Sequence, residues 1–108
     1  MKDKFYSHIL HIEPVYEKFL EIEVDHAEKE ELLYLLHSHI HFTVIDVILS
    51  ELSSDKKKEF LYLIVIQEDH VGAWDFVLTN ISDGEERLRS VACGIVEDFV
   101  KDLEDHIE

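Results

Sequence analysis

Apolar side chains recur at three- and four-residue spacing along most of this 108-residue chain, which predicts amphipathic helices. The clearest stripe lies near the C-terminus and consists of Leu88, Ala92, Ile95, Phe99 and Leu103. Ser82 followed by Glu85 has the form of a capping box, in which each residue bonds the backbone of the other. We therefore predict an amphipathic C-terminal helix over about residues 83–107.

The longest predicted helix covers about residues 27–52, a stretch that contains neither glycine nor proline. Asp25 followed by Glu28 predicts its N-terminal cap. In the second half of this helix, apolar residues that include Val44, Ile48 and Leu52 wrap most of the circumference. A helix so widely apolar is expected either at the centre of a bundle or in an oligomer interface.

Shorter helices are predicted over residues 4–12, 14–23, 55–67 and 70–79. Pro14 suits the first turn of a helix and disfavours helical geometry at Glu13, so the first two segments are either separate helices or one kinked helix. Ser53, Ser54 and Asp69 are the expected caps of the last two. Residues 60–66 are consecutively apolar and could form a buried strand, but a lone strand would have no partner, which favours a helix. The predicted fold is a single all-α domain, a compact bundle of about five helices with short connections around the long helix.

The net charge of the chain indicates which classes of partner it would bind and which it would repel. Twenty-five acidic and ten basic residues give a net charge of −15, and protonating all eight histidines would leave −15 + 8 = −7. Such a chain is expected to repel nucleic acids and anionic membranes, and to favour basic proteins or cations. Cys93 is the single cysteine, and no run of about 18 apolar residues predicts a membrane span. We expect a cytoplasmic protein.

A resemblance to a known family supports the helical fold. The segment from His41 to Leu61, the Trp74-Asp-Phe-Val-Leu78 stretch and the chain from Ile81 to Ile107 are similar to a domain of unknown function. That domain forms short acidic helical proteins of uncultivated candidate-phyla bacteria. The resemblance covers about residues 25–108. It implies an all-helical fold, including residues 60–66, and implies no activity.

Histidines are the main candidates for chemistry. His37 and His41 are one helical turn apart, the spacing that allows two imidazoles to bind one metal ion. His8 and His11 would share a face of the first predicted helix, so all four could converge on a divalent transition metal such as zinc. The alternatives are structural histidines, or a pH sensor in which protonation relieves acidic repulsion.

Acidic residues crowd the end of the last predicted helix, where the helix dipole disfavours them. They include Glu97, Asp98, Asp102 and Asp105. A basic partner, or mimicry of a nucleic-acid phosphate array, would explain this excess, whereas a solvated terminus would need no function. No phosphate-binding loop, nucleophile elbow or supported Cys–His pair indicates an enzyme.

The leading hypothesis is therefore a noncatalytic protein-interaction module without a cofactor, which self-associates or docks on a basic protein. Its expected surfaces are the face of Val44, Ile48 and Leu52 and the acidic C-terminal residues. A metal-binding bundle is the second hypothesis, and an acidic decoy that competes with nucleic acid is the third.

Overall fold

The structure, a computed structural model, describes residues 4–105, and all regular secondary structure within this range is helical. This confirms the predicted all-α class. The helices are α1 (Glu13–Glu21), α2 (His26–Ser50), α3 (Ser54–Leu61), α4 (His70–Asn80) and α5 (Gly84–Asp105). A single 3₁₀ turn, Ser7–Ile9, precedes α1, and one π-helical turn, Tyr62–Ile66, follows α3.

Local capping signals fix the beginnings of α2 and α4 as predicted. The Asp25 carboxylate accepts a hydrogen bond from the backbone N–H of Glu28 at 2.8 Å, and α2 begins at the next residue, His26. The Asp69 carboxylate likewise accepts from the backbone N–H of Gly72 at 2.9 Å. Each bond satisfies an N–H group that has no partner within its helix, which is why these caps can be recognised from sequence alone.

The apolar run over residues 60–66 is helical, as favoured above. Ser53 caps α3 through a hydrogen bond of 3.4 Å from the backbone N–H of Lys56. The helix then widens, and the backbone N–H of Gln67 donates to the carbonyl of Tyr62 at 3.0 Å, a five-residue step. π turns of this kind are uncommon and interrupt the regular succession of side chains along a helix.

The predicted helix over residues 4–12 is wrong. Only Ser7–Ile9 forms a helical turn, in which backbone N–H groups donate to the carbonyls three residues earlier. The backbone of Leu10 is already extended. A segment this short gains little from helix formation, and the burial of Phe5, Tyr6 and Ile9 decides its path instead. Glu13, expected to be nonhelical, begins α1, so Pro14 occupies the first turn, where a missing N–H costs nothing.

The predicted Ser82 cap is also wrong. Helix α5 begins at Gly84, and the preceding residue, Asp83, lies in the left-handed region with φ 55°. The backbone N–H of Arg87 donates to the Asp83 carbonyl at 2.9 Å, so Asp83 occupies the position expected for Ser82. A shift of one or two residues at a helix end is the usual scale of such errors.

Helix α5 is the element on which the rest of the fold converges. It packs against α1, α2, α4 and the 3₁₀ turn, whereas α2 packs chiefly against α5. Helix α5 contributes Leu88, Ala92, Val96 and Leu103 to the core. Helix α2 contributes a ribbon with four-residue spacing, Leu36, Ile40, Val44 and Ile48. The bundle measures 49 × 25 × 20 Å and is therefore elongated.

Two ion pairs connect α5 to the other helices. Lys18 of α1 lies 2.9 Å from Glu104, and Arg87 of α5 pairs with Glu51 at the end of α2. The guanidinium lowers the pKa of the Glu51 carboxyl by hydrogen bonding and charge. These contacts join the two ends of α5 to α1 and to the end of α2.

Candidate interaction surface

The apolar face predicted as an interface belongs to the core. Val44 and Ile48 are fully buried, and Leu52 is almost so. They pack within the chain's own bundle, so we correct the prediction that they form an interaction surface. The wide apolar circumference of α2 misled this assignment, because a pattern with two apolar faces does not reveal which one turns inward.

The opposite side of α2 carries the exposed apolar residues. Leu35 is 54% exposed and Phe42 is 70% exposed. On a helix with 3.6 residues per turn, Leu35, Phe42 and Leu49 lie within about 40° of one another and point away from the core residue Ile40. We define the outer face of α2 as these three residues together with Ser38 and Ile45, which lie between them. Tyr34, 64% exposed, lies at its edge.

Acidic residues lie at the beginning of α2, and three lysines, flanked by Asp55 and Glu59, lie shortly after its end. Glu28 and Glu31 are exposed in its first two turns. Lys56, Lys57 and Lys58 are exposed where α3 begins, shortly after α2 ends. Lys56 pairs with Glu59 at 3.3 Å, and within residues 4–105 no salt bridge joins Lys57, Lys58, Glu28 or Glu31 to another residue.

By length and composition, α2 also resembles a membrane-spanning helix. Its mean hydropathy reaches 1.5, and only 22% of the apolar window is buried in the fold. This similarity is weak, since the core helices of soluble proteins meet the same criteria. It nevertheless differs from the sequence-based expectation that no segment could span a membrane.

His41 and His37 lie half-buried on α2. The Nδ1 atom of His41 lies 2.9 Å from the hydroxyl of the buried Tyr6. Desolvation lowers the pKa of His41, and it also lowers the pKa of His37. Both imidazoles are therefore neutral at pH 7, the form that binds metals, but His41 already uses one ring nitrogen in a hydrogen bond.

The other two candidate ligands lie elsewhere. The His8 ring packs edge-on against Trp74 of α4, with centroids 4.4 Å apart. His11 lines a groove beside α5. Because residues 4–12 are not a helix, these two histidines do not share a helical face. Across the part of the chain that the structure describes, no three His, Cys, Asp or Glu side chains are grouped to hold a metal ion.

A groove beside α5 has a volume of about 750 Å³. Its wall is mainly apolar, and charged residues of both signs, including Arg89, Lys101 and Glu97, lie along it. The Cys93 thiol donates to the Glu97 carboxylate at 3.6 Å, and this neighbour raises the pKa of the thiol. The thiolate is thus disfavoured, which is the opposite of what a nucleophilic cysteine requires.

The acidic C-terminal surface is divided between two faces of α5. Asp98, Asp102 and Asp105 are exposed and follow one another at four- and three-residue spacing, which places them on one face. Glu97 points to the groove instead. The four predicted acidic residues therefore do not form one continuous patch.

A second exposed apolar region surrounds the π turn. Tyr62, Val65 and Ile66 are all more than half exposed. Val65 shares a small cavity with His41, the neighbour of Phe42 on α2. This region was missed by the sequence analysis, because a continuous apolar run indicates burial unless a wider helical turn directs part of it outward.

Comparisons of the chain with family models, curated proteins and solved structures found no match. The resemblance to a family of acidic helical proteins stays a prediction.

Proposed function

We propose that this chain is a small protein-interaction module that associates with a second copy of itself through the outer face of α2. The observation that carries the proposal is the exposure of Leu35 and Phe42, one above the other on the side of α2 away from the core. Fully burying a large apolar side chain stabilises a complex by roughly 1.5–3 kcal/mol. Two copies would contribute four such residues.

A lipid bilayer is a poorer occupant for this face. Insertion of α2 would separate Ile40 and its neighbouring core residues from α5. It would also place His37, His39 and Asp46 within the hydrocarbon, where polar groups are costly. The acidic residues at the beginning of α2 would be repelled by an anionic membrane surface.

The rival functions have less support. A metal-binding bundle requires ligands that the fold brings together, and His8 and His11 lie apart from the pair on α2. A basic partner or a nucleic-acid decoy requires a continuous acidic array, whereas Glu97 is turned away from Asp98, Asp102 and Asp105. On the outer face of α2, in contrast, Leu35 and Phe42 are exposed apolar residues, and four of the five positions are apolar.

Sedimentation velocity over a wide range of protein concentration tests the proposal. We expect the wild-type chain to form a dimer and the double variant Leu35→Glu, Phe42→Glu to remain monomeric with an unchanged circular dichroism spectrum. Leu20→Glu is the matched control, because Leu20 is 86% exposed on α1, outside this face. The control should dimerise like the wild type.

A wild-type chain that stays monomeric at all concentrations would overturn the proposal. So would a dimer that the double variant leaves intact. Parallel sedimentation with phosphatidylcholine vesicles tests the lipid alternative, and binding of the monomer to vesicles would favour it.

A further inference from the structure

The outer face of α2 has the residue spacing of a coiled coil. Successive residues of this face are three and four positions apart in alternation, which is the a/d pattern of a heptad repeat. They are Leu35, Ser38, Phe42, Ile45 and Leu49. The inner ribbon instead follows four-residue steps and packs on α5. Helix α2 therefore has two seams. The inner one is buried within the bundle, whereas on the outer one Leu35 and Phe42 are exposed and Ile45 and Leu49 are partly buried against the core.

The same spacing of three and four residues reaches acidic residues at the N-terminal end of α2. Extending it toward the N-terminus reaches Glu31 and then Glu28, both exposed. At the other end the chain turns into α3, which presents Lys57 and Lys58 to solvent. The seam thus has a mainly apolar centre, an acidic end, and an end where three lysines lie between the acidic residues Asp55 and Glu59.

This polarity selects a direction for pairing. Two parallel α2 helices would place Glu28 and Glu31 beside the same acidic residues of the partner subunit, and like charges at matching positions oppose association. Antiparallel helices bring the acidic end of each copy to the lysine-bearing end of the other. Resting on the self-association proposed above, we infer that the partner is a second copy whose α2 runs antiparallel.

The heptad spacing allows registers that differ by seven residues, and the opposition of Glu31 to Lys56 of the partner subunit selects one of them. In antiparallel coiled coils, a positions of one helix form layers with d positions of the other. Placing the two-fold axis between residues 43 and 44 packs Phe42 against Ile45 of the partner subunit. It packs Leu49 against the small Ser38 of the partner subunit, which leaves room for the leucine. On the flank of the seam, His39 faces Asp46 of the partner subunit, a polar contact that occurs twice by symmetry.

A distance between spin labels in the two copies tests the direction. The labels are attached at Ala27→Cys in a Cys93→Ser background, so that each chain carries one. Ala27 is exposed in the first turn of α2. At 1.5 Å of rise per residue, antiparallel pairing separates the two labelled positions by about 50 Å. Parallel pairing separates them by about 10 Å, the distance between two packed helix axes.

Charge reversal tests the contacts at the ends. The double variant Lys57→Glu, Lys58→Glu should weaken the dimer by about tenfold, because several exposed ion pairs become repulsive. Adding Glu28→Lys and Glu31→Lys to the same chain should restore the wild-type dissociation constant. Because the four substitutions together also return the net charge to −15, this restoration supports the end contacts, and the spin-label distance is what distinguishes antiparallel from parallel pairing.

The outcomes separate this inference from the proposed function. One outcome is that the Leu35→Glu, Phe42→Glu variant loses the dimer while the labelled dimer shows the short distance. This outcome would overturn the antiparallel inference and leave the proposed self-association intact. The absence of a wild-type dimer would overturn both. The long distance, together with rescue by the four-residue charge reversal, is the expected result.

Discussion

The hydroxyl oxygen of Tyr6 lies 2.9 Å from the Nδ1 atom of His41 and joins the N-terminal segment to the middle of α2. Burial raises the pKa of Tyr6 to about 12, so the phenol keeps its proton and donates. Burial also lowers the pKa of His41, so Nδ1 is free to accept. The bond therefore specifies the tautomer of His41 that carries its proton on Nε2.

Removing this hydroxyl should destabilise the fold modestly. Tyr6→Phe keeps the ring in the core and leaves Nδ1 of the half-buried His41 without its donor. We expect the free energy of unfolding in urea to fall by about 1 kcal/mol, the usual contribution of such a bond. Tyr16→Phe is the control, because Tyr16 is exposed on α1 and should change little. Equal effects of the two substitutions would show that the bond contributes nothing.

This contact illustrates what the sequence could not provide. The caps at Asp25 and Asp69 were predictable because a capping side chain acts within four residues of its own position. Tyr6 and His41 are 35 residues apart, and their meeting depends on residues 4–12 not being a helix. Tertiary burial of Phe5 and Ile9 decided that, and no local pattern records it.

The sequence pattern did not identify the outer face of α2 as exposed, for a different reason. The three- and four-residue steps from Leu35 to Leu49 are present in the sequence. The inner ribbon through Ile40 and Val44 is equally apolar, so the pattern gave two candidate faces. Only packing against α5 distinguishes them, which is why the predicted interface was placed on residues that belong to the core.

Mild acid should destabilise the protein through His37 and His41. Because desolvation holds both pKa values below the ordinary 6.5, the unfolded chain binds protons first as the pH falls. Stability is therefore full above about pH 6.5 and decreases below it. We expect urea unfolding to show lower stability at pH 5.5 than at pH 7.5.

The variant His37→Gln, His41→Gln isolates this effect from the other six histidines, whose protonation reduces the net negative charge. Its stability should fall less than that of the wild type over the same pH interval. An identical dependence in the two proteins would exclude these imidazoles as the cause.

Phe60 should be among the most sensitive core positions. Its side chain is fully buried, and its ring packs edge-on against Phe5 with centroids 5.5 Å apart. Phe60→Ala would leave a cavity where the N-terminal segment meets α3, and we expect a loss of about 3–5 kcal/mol. Tyr62→Ala, two residues further along, removes an aromatic ring that is more than half exposed and should cost much less. Unfolding by heat or by urea would measure both variants. A similar loss of stability in Phe60→Ala and Tyr62→Ala would contradict the burial of Phe60.

The Cys93 thiol should react slowly with alkylating agents although it is exposed. The Glu97 carboxylate accepts its hydrogen bond and opposes the negative thiolate, which raises the thiol pKa. Glu97→Gln removes the charge and should accelerate alkylation by iodoacetamide at pH 8. Asp98→Asn, an equal change of charge on the other face of α5, is the control and should leave the rate near that of the wild type. A faster rate in both variants would indicate the net charge of the protein as the cause.

Glu68 should be a position where glycine improves stability. Its φ of 49° lies in the left-handed region, which costs a residue with a side chain about 1–2 kcal/mol. The conformation is imposed by the end of the π turn, where the backbone N–H of Asp69 donates to the carbonyl of Leu63 at 2.9 Å. Glu68→Gly removes the steric cost but adds about 0.5–1 kcal/mol of unfolded-chain entropy, so we expect a net gain of about 0.5 kcal/mol in urea unfolding. Glu30→Gly, within α2, should instead lower stability by about 1 kcal/mol, because glycine there gains no conformational relief. A loss at both positions would mean that the Glu68 side chain stabilises the turn more than its backbone strain costs.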